Sequence, residues 1–172
     1  RTIHGSGWSR EDRMTFIDHI HAQIIEQMKL GLECIEFPGD DDDDYNAGQE
    51  SEAKKQDAFA QLSSEAQQAV NVVQSVKDPK LTEEVAAACK TLWAEPAIKE
   101  IYDQRAIMKI EDSSAYFWDK IDEIMSNGYC PNAEDILLVR YRTTGVIDQK
   151  FTIKKNIFHI FDVGGQKSER KK

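Results

Sequence analysis

The sequence has 172 residues, which is enough for one ordinary domain or for one and a half small ones. Its formal net charge of -9, from 22 basic and 31 acidic residues, argues against nucleic-acid binding because phosphate backbones select basic surfaces. No apolar run approaches the ~20 residues needed to cross a bilayer. The three cysteines are far apart and form no CxxC pair, which argues against a zinc site and favours reduced cytosolic thiols.

The first predicted helix runs from the residue after Ser9 to about Leu30. The Ser9 hydroxyl is suited to cap the free N–H groups of its first turn, where acidic residues also favour the positive helix end. Apolar side chains then recur at spacings of three and four along a broad stripe: Phe16, Ile17, Ile20, Ile24, Ile25, Met28 and Leu32. A stripe this broad predicts the central helix of a bundle, with other helices packed around it.

An acidic segment follows, with five consecutive aspartates at positions 40–44 inside a stretch that also contains Pro38, Gly39 and Gly48. The carboxylates allow a metal site in principle. The spaced ligands and turn glycine of an EF-hand are missing, however, so a solvated charged loop is the preferred interpretation.

Further helices are predicted by apolar spacing and by capping residues. Thr82 caps one of them, Pro96 begins another, Asp112 and Ser113 cap a third, and Gly128 is a left-handed terminator. The predicted helices span 51–62, 64–76, 83–93, 96–108, 114–125 and, after the capping residue Asn132, 133–138. The aromatic run at 116–118 is interpreted as packing rather than as a cofactor site.

Two strands are predicted at the end of the chain, at 146–153 and 156–161. The second strand is apolar on both faces apart from His159, a pattern typical of a strand buried on both sides in an α/β sheet. Because two strands alone are marginal in water, residues 146–166 are predicted to be part of a larger domain.

Two short motifs flank this hairpin, and together they suit a phosphate and a magnesium ion. A carboxylate such as Asp162, after a buried strand, is well placed to hold Mg²⁺. The glycines that follow it let backbone N–H groups approach an anion, and Gln166 has the amide needed to orient a water. In the earlier motif, at 140–145, a threonine hydroxyl is a further oxygen ligand, and an arginine neutralises developing negative charge.

The stretches DILLVRYRTTG at 135–145 and FDVGGQKSERKK at 161–172 resemble switch I and switch II of heterotrimeric G-protein α subunits. The preceding helical region is similar to the helical domain that this family inserts into its GTPase domain. The resemblance implies a helical domain at 1–130 and, at 131–172, switch I, a two-strand hairpin and the start of switch II. The fold class is therefore mainly α: a helical bundle around one long central helix, followed by a two-strand fragment of an α/β GTPase domain.

Carried over by position, the resemblance implies a role for each motif residue. Arg140 is the in-cis arginine finger, chosen over Arg142 because the family places the finger three residues before the magnesium-binding threonine, Thr143. Asp162 contacts the same Mg²⁺ through its water shell, and the catalytic pair is completed by Gln166. The full implied nucleotide-binding set is Asp112, Ser113, Leu137, Leu138, Val139, Arg140, Tyr141, Arg142, Thr143, Asp162, Val163, Gly164, Gly165 and Gln166.

The implied activity is GTP hydrolysis as a signalling switch, with GTP or GDP and Mg²⁺ as cofactors. The implied partners are the G-protein βγ dimer, a G-protein-coupled receptor, GTPase-activating regulators and effectors, at the cytoplasmic inner face of the plasma membrane. The chain begins Arg1-Thr2-Ile3 without Met, so we expect a fragment that meets the membrane only through its parent protein. Because the sequence contains no G-x-x-x-x-G-K-[ST] and no N-K-x-D, we expect little nucleotide binding by the chain alone. The alternative is a non-catalytic helical binding or regulatory module.

Overall fold

The computed structural model describes residues 8–36, 62–141, 146–153 and 156–163, and the chain divides into two compact units. The first unit is Arg1–Val139 and the second is Arg140–Lys172. This division falls after the predicted boundary at residue 130, because the short helix at 133–138 is held by contacts within the helical unit. The acidic run at 40–44 and nearly all of the predicted helix at 51–62 lie outside the described residues.

The described part of the first unit is entirely helical, which confirms the predicted fold class for this region. Its helices are α1 (Arg10–Met14), α2 (Ile17–Glu36), α3 (Ser64–Ser75), α4 (Glu83–Ala94), α5 (Pro96–Asp103), α6 (Arg105–Met108), α7 (Ser114–Asp119), α8 (Ile121–Ile124) and α9 (Ala133–Leu138). Among the described helices, none combines the length and the apolar character that a membrane span requires.

Helix α2 is the centre of the bundle, as its broad apolar stripe predicts. Helices α3, α4, α5, α6 and α7 all pack against it. Ile20, Ile24, Ile25 and Met28 on its stripe are at most 1% exposed. Each fully buried side chain of this size contributes roughly 1.5–3 kcal/mol relative to its exposed state, so this stripe is a major source of the unit's stability.

The first predicted helix is wrong in two respects: the structure divides it at Thr15 and Phe16, and α2 continues to Glu36 instead of ending near Leu30. The Ser9 cap is confirmed as a capping box with Asp12. The Thr15 hydroxyl donates to the backbone carbonyl of Asp12 at 2.6 Å, and the Phe16 N–H bonds to Arg13 in a tighter turn. Side-chain bonding of this kind competes with the helical ladder, so α1 ends there and α2 begins anew.

Two later helices are also divided where single helices are predicted. The helix at 96–108 is interrupted at Gln104 (φ -96°, ψ 16°), and the one at 114–125 at Lys120 (φ -96°, ψ 4°). The predicted cap by Ser113 is wrong as well. Its side chain makes no capping bond to the helix, and its oxygen instead accepts a hydrogen bond from the Gln23 amide on α2 at 2.8 Å.

The aromatic run at 116–118 is part of the core, as predicted. Phe117 is fully buried, and Trp118 is 2% exposed. The Trp118 ring packs against Trp93 and Tyr102 at centroid distances of 4.9 and 5.9 Å. Its indole N–H donates to the backbone carbonyl of Ile24 at 3.2 Å, so this tryptophan ties α7 to the central helix with its polar atom satisfied.

The second unit contains an antiparallel hairpin of β1 (Val146–Ile153) and β2 (Asn156–Val163). Both predicted strands are confirmed, but β2 extends two residues further than predicted, because Asp162 pairs with Ile147 and Val163 with Val146. The apolar pattern of β2 was attributed to the sheet of a larger domain, and within this chain the strand is exposed. Its apolar side chains Ile157, Phe158, Ile160 and Phe161 are between 47% and 68% exposed, since the described residues supply no layer that covers them.

Two glycines provide a matched test of the helical unit. A Cβ added to Gly31 in α2 would lie 3.8 Å from the Ile110 side chain, an ordinary contact distance. Gly31→Ala should therefore raise the free energy of unfolding by about 0.5–1 kcal/mol, through the lower backbone entropy of alanine. Gly128 has a φ of +84°, in the left-handed region that L side chains disfavour. Gly128→Ala should therefore lower the free energy of unfolding by about 1 kcal/mol, although no atom lies within 4 Å of the added Cβ. Urea unfolding followed by circular dichroism measures both, and a loss of stability in Gly31→Ala would contradict the helix packing.

Candidate functional site

The predicted contact residues Asp112 and Ser113 lie in the loop before α7, where neighbouring side chains hold them. The Arg105 side chain donates to the Asp112 carboxylate at 2.6 Å, and the Tyr102 hydroxyl donates to the Asp112 backbone carbonyl at 2.5 Å. The Arg105 guanidinium also lies 4.9 Å from the centre of the Tyr102 ring. With its side chain still 89% exposed, Asp112 stays open to solvent on a loop of defined geometry.

The predicted segment 137–141 begins at the end of α9 and leaves the helical core after Val139. Val139 is 6% exposed and belongs to the core cluster. Leu137 is 83% exposed, Tyr141 is 50% exposed, and Arg140 is also on the surface. The Val139 side chain is therefore held in the core immediately before Arg140, the arginine that the sequence motif selects.

The remaining predicted site residues are described only in part. Arg142, Thr143, Gly164, Gly165 and Gln166 lie outside the described residues. For Asp162 and Val163 the structure describes the backbone, which lies within β2 rather than directly after it as expected. The roles assigned to these residues consequently stay predictions.

The predicted magnesium ligands fit that ion by their chemistry. A threonine hydroxyl and a carboxylate are hard oxygen donors, and Mg²⁺ in nucleotide sites takes one or two such protein ligands alongside phosphate oxygens. Within the described residues, no group of three or more His, Cys, Asp or Glu side chains is arranged to hold a metal ion. A site of this type does not need such a group.

A buried polar network around Asp135 was not foreseen from the sequence. Asp135 is fully buried, and its Oδ1 accepts hydrogen bonds from the Tyr116 hydroxyl and the Lys120 ammonium, both at 2.8 Å. Its Oδ2 accepts from the Tyr129 hydroxyl at 2.8 Å and from the Asn132 N–H at 2.7 Å. The Asp135 N–H donates in return to the Asn132 side chain, and this predicted helix cap was the part of the network that the sequence indicated.

The decisive comparison is with families of known proteins, since the family model described as "G-protein alpha subunit" matches residues 1–172, the whole chain. The chain belongs to the G-protein α-subunit family. This assignment agrees with the order of features described above: a helical unit around α2, then the arginine segment, then a hairpin that leads to the glycine motif.

Two curated relatives of this α-subunit chain come from nematodes. Each is named "Guanine nucleotide-binding protein alpha-17 subunit", one from Caenorhabditis elegans and one from Caenorhabditis briggsae. Each is 49% identical to this chain over 92 residues, which cover 54% of the chain. The match spans 26% of each relative, about a quarter of its length.

The Asp135 network of this α-subunit chain shifts the pKa values of its members. Burial alone would raise the pKa of Asp135, but hydrogen bonds from Lys120, Asn132, Tyr116 and Tyr129 outweigh it and hold that pKa below its ordinary value. Burial alone would lower the pKa of Lys120, yet its bonds, chiefly to Asp135, raise it. Burial and the bond to Asp135 raise the pKa of Tyr129. At neutral pH Asp135 is therefore ionised, Lys120 is protonated, and the Tyr129 hydroxyl keeps the proton that it donates.

These shifts predict how stability depends on pH. The lowered pKa of Asp135 gives a contribution that is complete above about pH 4, the ordinary aspartate value, and is lost as pH falls through the folded value. The raised pKa of Lys120 gives a second contribution to stability, which is complete below about pH 10, the ordinary lysine value, and is lost as pH rises through the folded value. Melting temperatures from pH 2 to 7 should therefore converge for the wild type and Asp135→Asn at low pH. Parallel curves at every pH would contradict the ionised state of Asp135.

Proposed function

We propose that this chain supplies the helical domain and the two switch segments of a heterotrimeric G-protein α subunit that binds and hydrolyses GTP as a signalling switch. The observation that carries the proposal is the family match over residues 1–172, in a chain that also contains both Arg140-x-x-Thr143 and Asp162-x-x-Gly165-Gln166. The named relatives are guanine nucleotide-binding proteins, which supports the same ligand here.

The chemistry of the site divides among the residues of the two motifs. Mg²⁺, when bound with the nucleotide, offsets negative charge on the phosphates. The Thr143 hydroxyl and the Asp162 carboxylate hold its position. The Arg140 guanidinium donates to the phosphate oxygens on which charge develops, the Gly165 N–H contacts the γ-phosphate, and the Gln166 side chain orients the attacking water. The remaining predicted residues, among them Asp112 and Leu137, position the nucleotide.

The partners and the location follow from the same proposal. A βγ dimer, a receptor, GTPase-activating regulators and effectors contact an α subunit in turn as its switch segments change with the nucleotide. Such a cycle places the protein at the cytoplasmic inner face of the plasma membrane. Thr144 and the segment from Lys167 onward are the parts of this chain proposed to meet regulators.

A second candidate is a helical binding or regulatory module without turnover. The independent core of the unit Arg1–Val139 favours it, because residues from six helices already form one hydrophobic cluster there. In that case the helical unit docks onto other proteins, and the switch motifs contribute no chemistry.

A chimera separates the two candidates. Residues of this chain replace the matching region of the C. elegans alpha-17 subunit, and binding of a fluorescent non-hydrolysable GTP analogue is measured with Mg²⁺. The same titration is made on the 172-residue chain alone and on the unaltered relative. The proposal expects no binding by the chain alone and binding by the chimera close to that of the relative.

The substitution Thr143→Ala is the diagnostic variant of the chimera. It should weaken the dependence of analogue binding on Mg²⁺, because a magnesium ligand is lost, while Thr144→Ala is the matched control beside it. A folded chimera that fails to bind the analogue, or equal effects of both substitutions, would favour the module without turnover.

A further inference from the structure

The buried carboxylate of Asp135 has no role in the proposed chemistry. Ionised carboxylates are almost never fully buried unless they are paired, and removing one from water has a large energetic cost. Asp135 is fully buried, and none of the hydrogen bonds of its side chain goes to a residue of the implied nucleotide-binding set. Its position in the chain indicates what this costly arrangement achieves.

The network joins three separate parts of the helical unit to the start of α9. Tyr116 lies on α7, Lys120 lies between α7 and α8, and Tyr129 lies in the loop before α9. Lys120 is 12% exposed, and its ammonium also donates to the Tyr116 hydroxyl at 3.2 Å and pairs with Glu123 at 3.3 Å. Hydrogen bonds from several directions fix the Asp135 side chain in one place.

Helix α9 has only six residues, so it depends on such contacts for its position. Isolated helices shorter than ~12 residues are marginal in water. The backbone carbonyl of Asp135 accepts a hydrogen bond from the Val139 N–H at 2.9 Å. Asp135 therefore holds both ends of α9: its side chain takes part in the capping box at the first turn, and its carbonyl bonds the last residue before Arg140.

We propose that Asp135 is a positioning residue that fixes the point from which the Arg140 segment leaves the helical unit. The inference rests on the proposed function in one respect, namely that Arg140 acts on the nucleotide. A displacement of about 1 Å in such a group is enough to slow a reaction substantially. A buried anchor at Asp135, in the short helix that leads to Arg140, therefore has a clear purpose.

Hydrogen exchange of the Val139 amide, followed by NMR on the 172-residue chain without nucleotide, tests the anchoring. Tyr129→Phe keeps the ring and removes one hydrogen bond to Asp135. It should speed exchange at Val139 by roughly tenfold or more, the size expected for losing one bond to a charged group. The matched control is Tyr102→Phe, which removes a tyrosine hydroxyl bonded to the Asp112 carbonyl in the same unit. The control should leave exchange at Val139 unchanged.

A second measurement reads out the position of Arg140 in the chimera. Tyr129→Phe, and Asp135→Asn if that variant folds, should lower the single-turnover rate of GTP hydrolysis while leaving the affinity for the GTP analogue unchanged. A role limited to stability would leave this rate unchanged at saturating nucleotide in a folded sample.

The outcomes separate this inference from the proposed function. Unchanged Val139 exchange in Tyr129→Phe, or equal acceleration in Tyr102→Phe, overturns the anchoring whatever the chimera does. Faster exchange at Val139 with an unaltered hydrolysis rate overturns the positioning role. If Arg140 substitutions also leave hydrolysis unaltered, the proposed function fails, and the anchoring measured by exchange stands.

Discussion

Arg140→Cys and Gln166→Leu should each slow single-turnover GTP hydrolysis in the chimera strongly while leaving binding of the GTP analogue near normal. The Arg140 guanidinium stabilises negative charge that develops on the phosphate during the reaction, and the Gln166 amide orients the attacking water. Because both interactions are made chiefly in the transition state, their loss affects the rate rather than the affinity. For Arg140 we expect roughly 10³-fold or more, a magnitude known for arginine fingers of this family and not obtained from this structure.

The matched control for this prediction is Arg142→Ala, which removes the same type of side chain two positions away. Arg142 belongs to the implied nucleotide-binding set, so the control should lower the affinity for the analogue. Because the family's spacing selects Arg140 as the finger, the control should change the hydrolysis rate at saturating GTP little. Quenched-flow measurement with radiolabelled GTP gives the rate, and the fluorescent analogue gives the affinity. A larger loss in Arg142→Ala than in Arg140→Cys would mean that the finger has been assigned to the wrong arginine.

Lys120→Met should lower the free energy of unfolding of the helical unit by about 3–5 kcal/mol, because it leaves the fully buried Asp135 carboxylate without its cation. Asp135→Asn should also lower the free energy of unfolding, since it removes the buried carboxylate and leaves the Lys120 ammonium, whose side chain is 12% exposed, with Glu123 as its ion partner. Urea unfolding at pH 7 followed by circular dichroism measures both variants. The double variant should lose less than the sum of the two single losses, because each substitution removes the same ion pair.

The exposed pair Lys90–Asp122 is the matched control for this second prediction. Its ammonium and carboxylate are 2.6 Å apart, against 2.8 Å for Lys120 and Asp135, but the two side chains are 47% and 80% exposed. Lys90→Met should therefore change the free energy of unfolding by less than about 1 kcal/mol. Similar losses for Lys90→Met and Lys120→Met would show that burial does not govern the strength of the Lys120–Asp135 pair.

The starts of several helices were predictable because a capping bond spans only three residues. Ser9, Thr82 and Asn132 each accept a bond from the backbone N–H three positions later, as their sequence positions suggest. Ser113 is the exception, since its oxygen accepts from Gln23, which lies 90 residues away in sequence. No local pattern contains that competing donor, so the sequence offers no basis for preferring it.

The interruptions within helices were harder to predict than their starts. The break at Thr15 depends on a side-chain bond to the preceding turn, and the break at Lys120 coincides with an ammonium that is bonded to Asp135. Apolar periodicity continues across the break at Lys120, because Phe117 and Ile121 on either side of it are buried in the same core. Periodicity thus reports which face is buried and says little about whether the backbone ladder is continuous.

The candidate site was predictable as a set of motifs and not as an arrangement in space. The order of arginine, threonine, aspartate, glycine and glutamine residues carried the family resemblance, and the family match over the whole chain confirms it. The anchor at Asp135 escaped prediction because its partners Tyr116, Lys120 and Tyr129 are 19, 15 and 6 residues away. Tyrosine, lysine and aspartate at such distances are ordinary surface residues until a fold brings them together.

The sequence by itself determined the family, the helical character of the first unit, the central helix α2 and the hairpin. Those features depend on residue types within a few positions of one another, on apolar spacing and on short motifs. Tertiary structure alone decided that Asp135 is buried with its cation and tyrosines, and that the chain leaves the helical core at Val139. The physical reason is that the burial of a charge is set by which distant groups surround it, and sequence spacing does not contain that information.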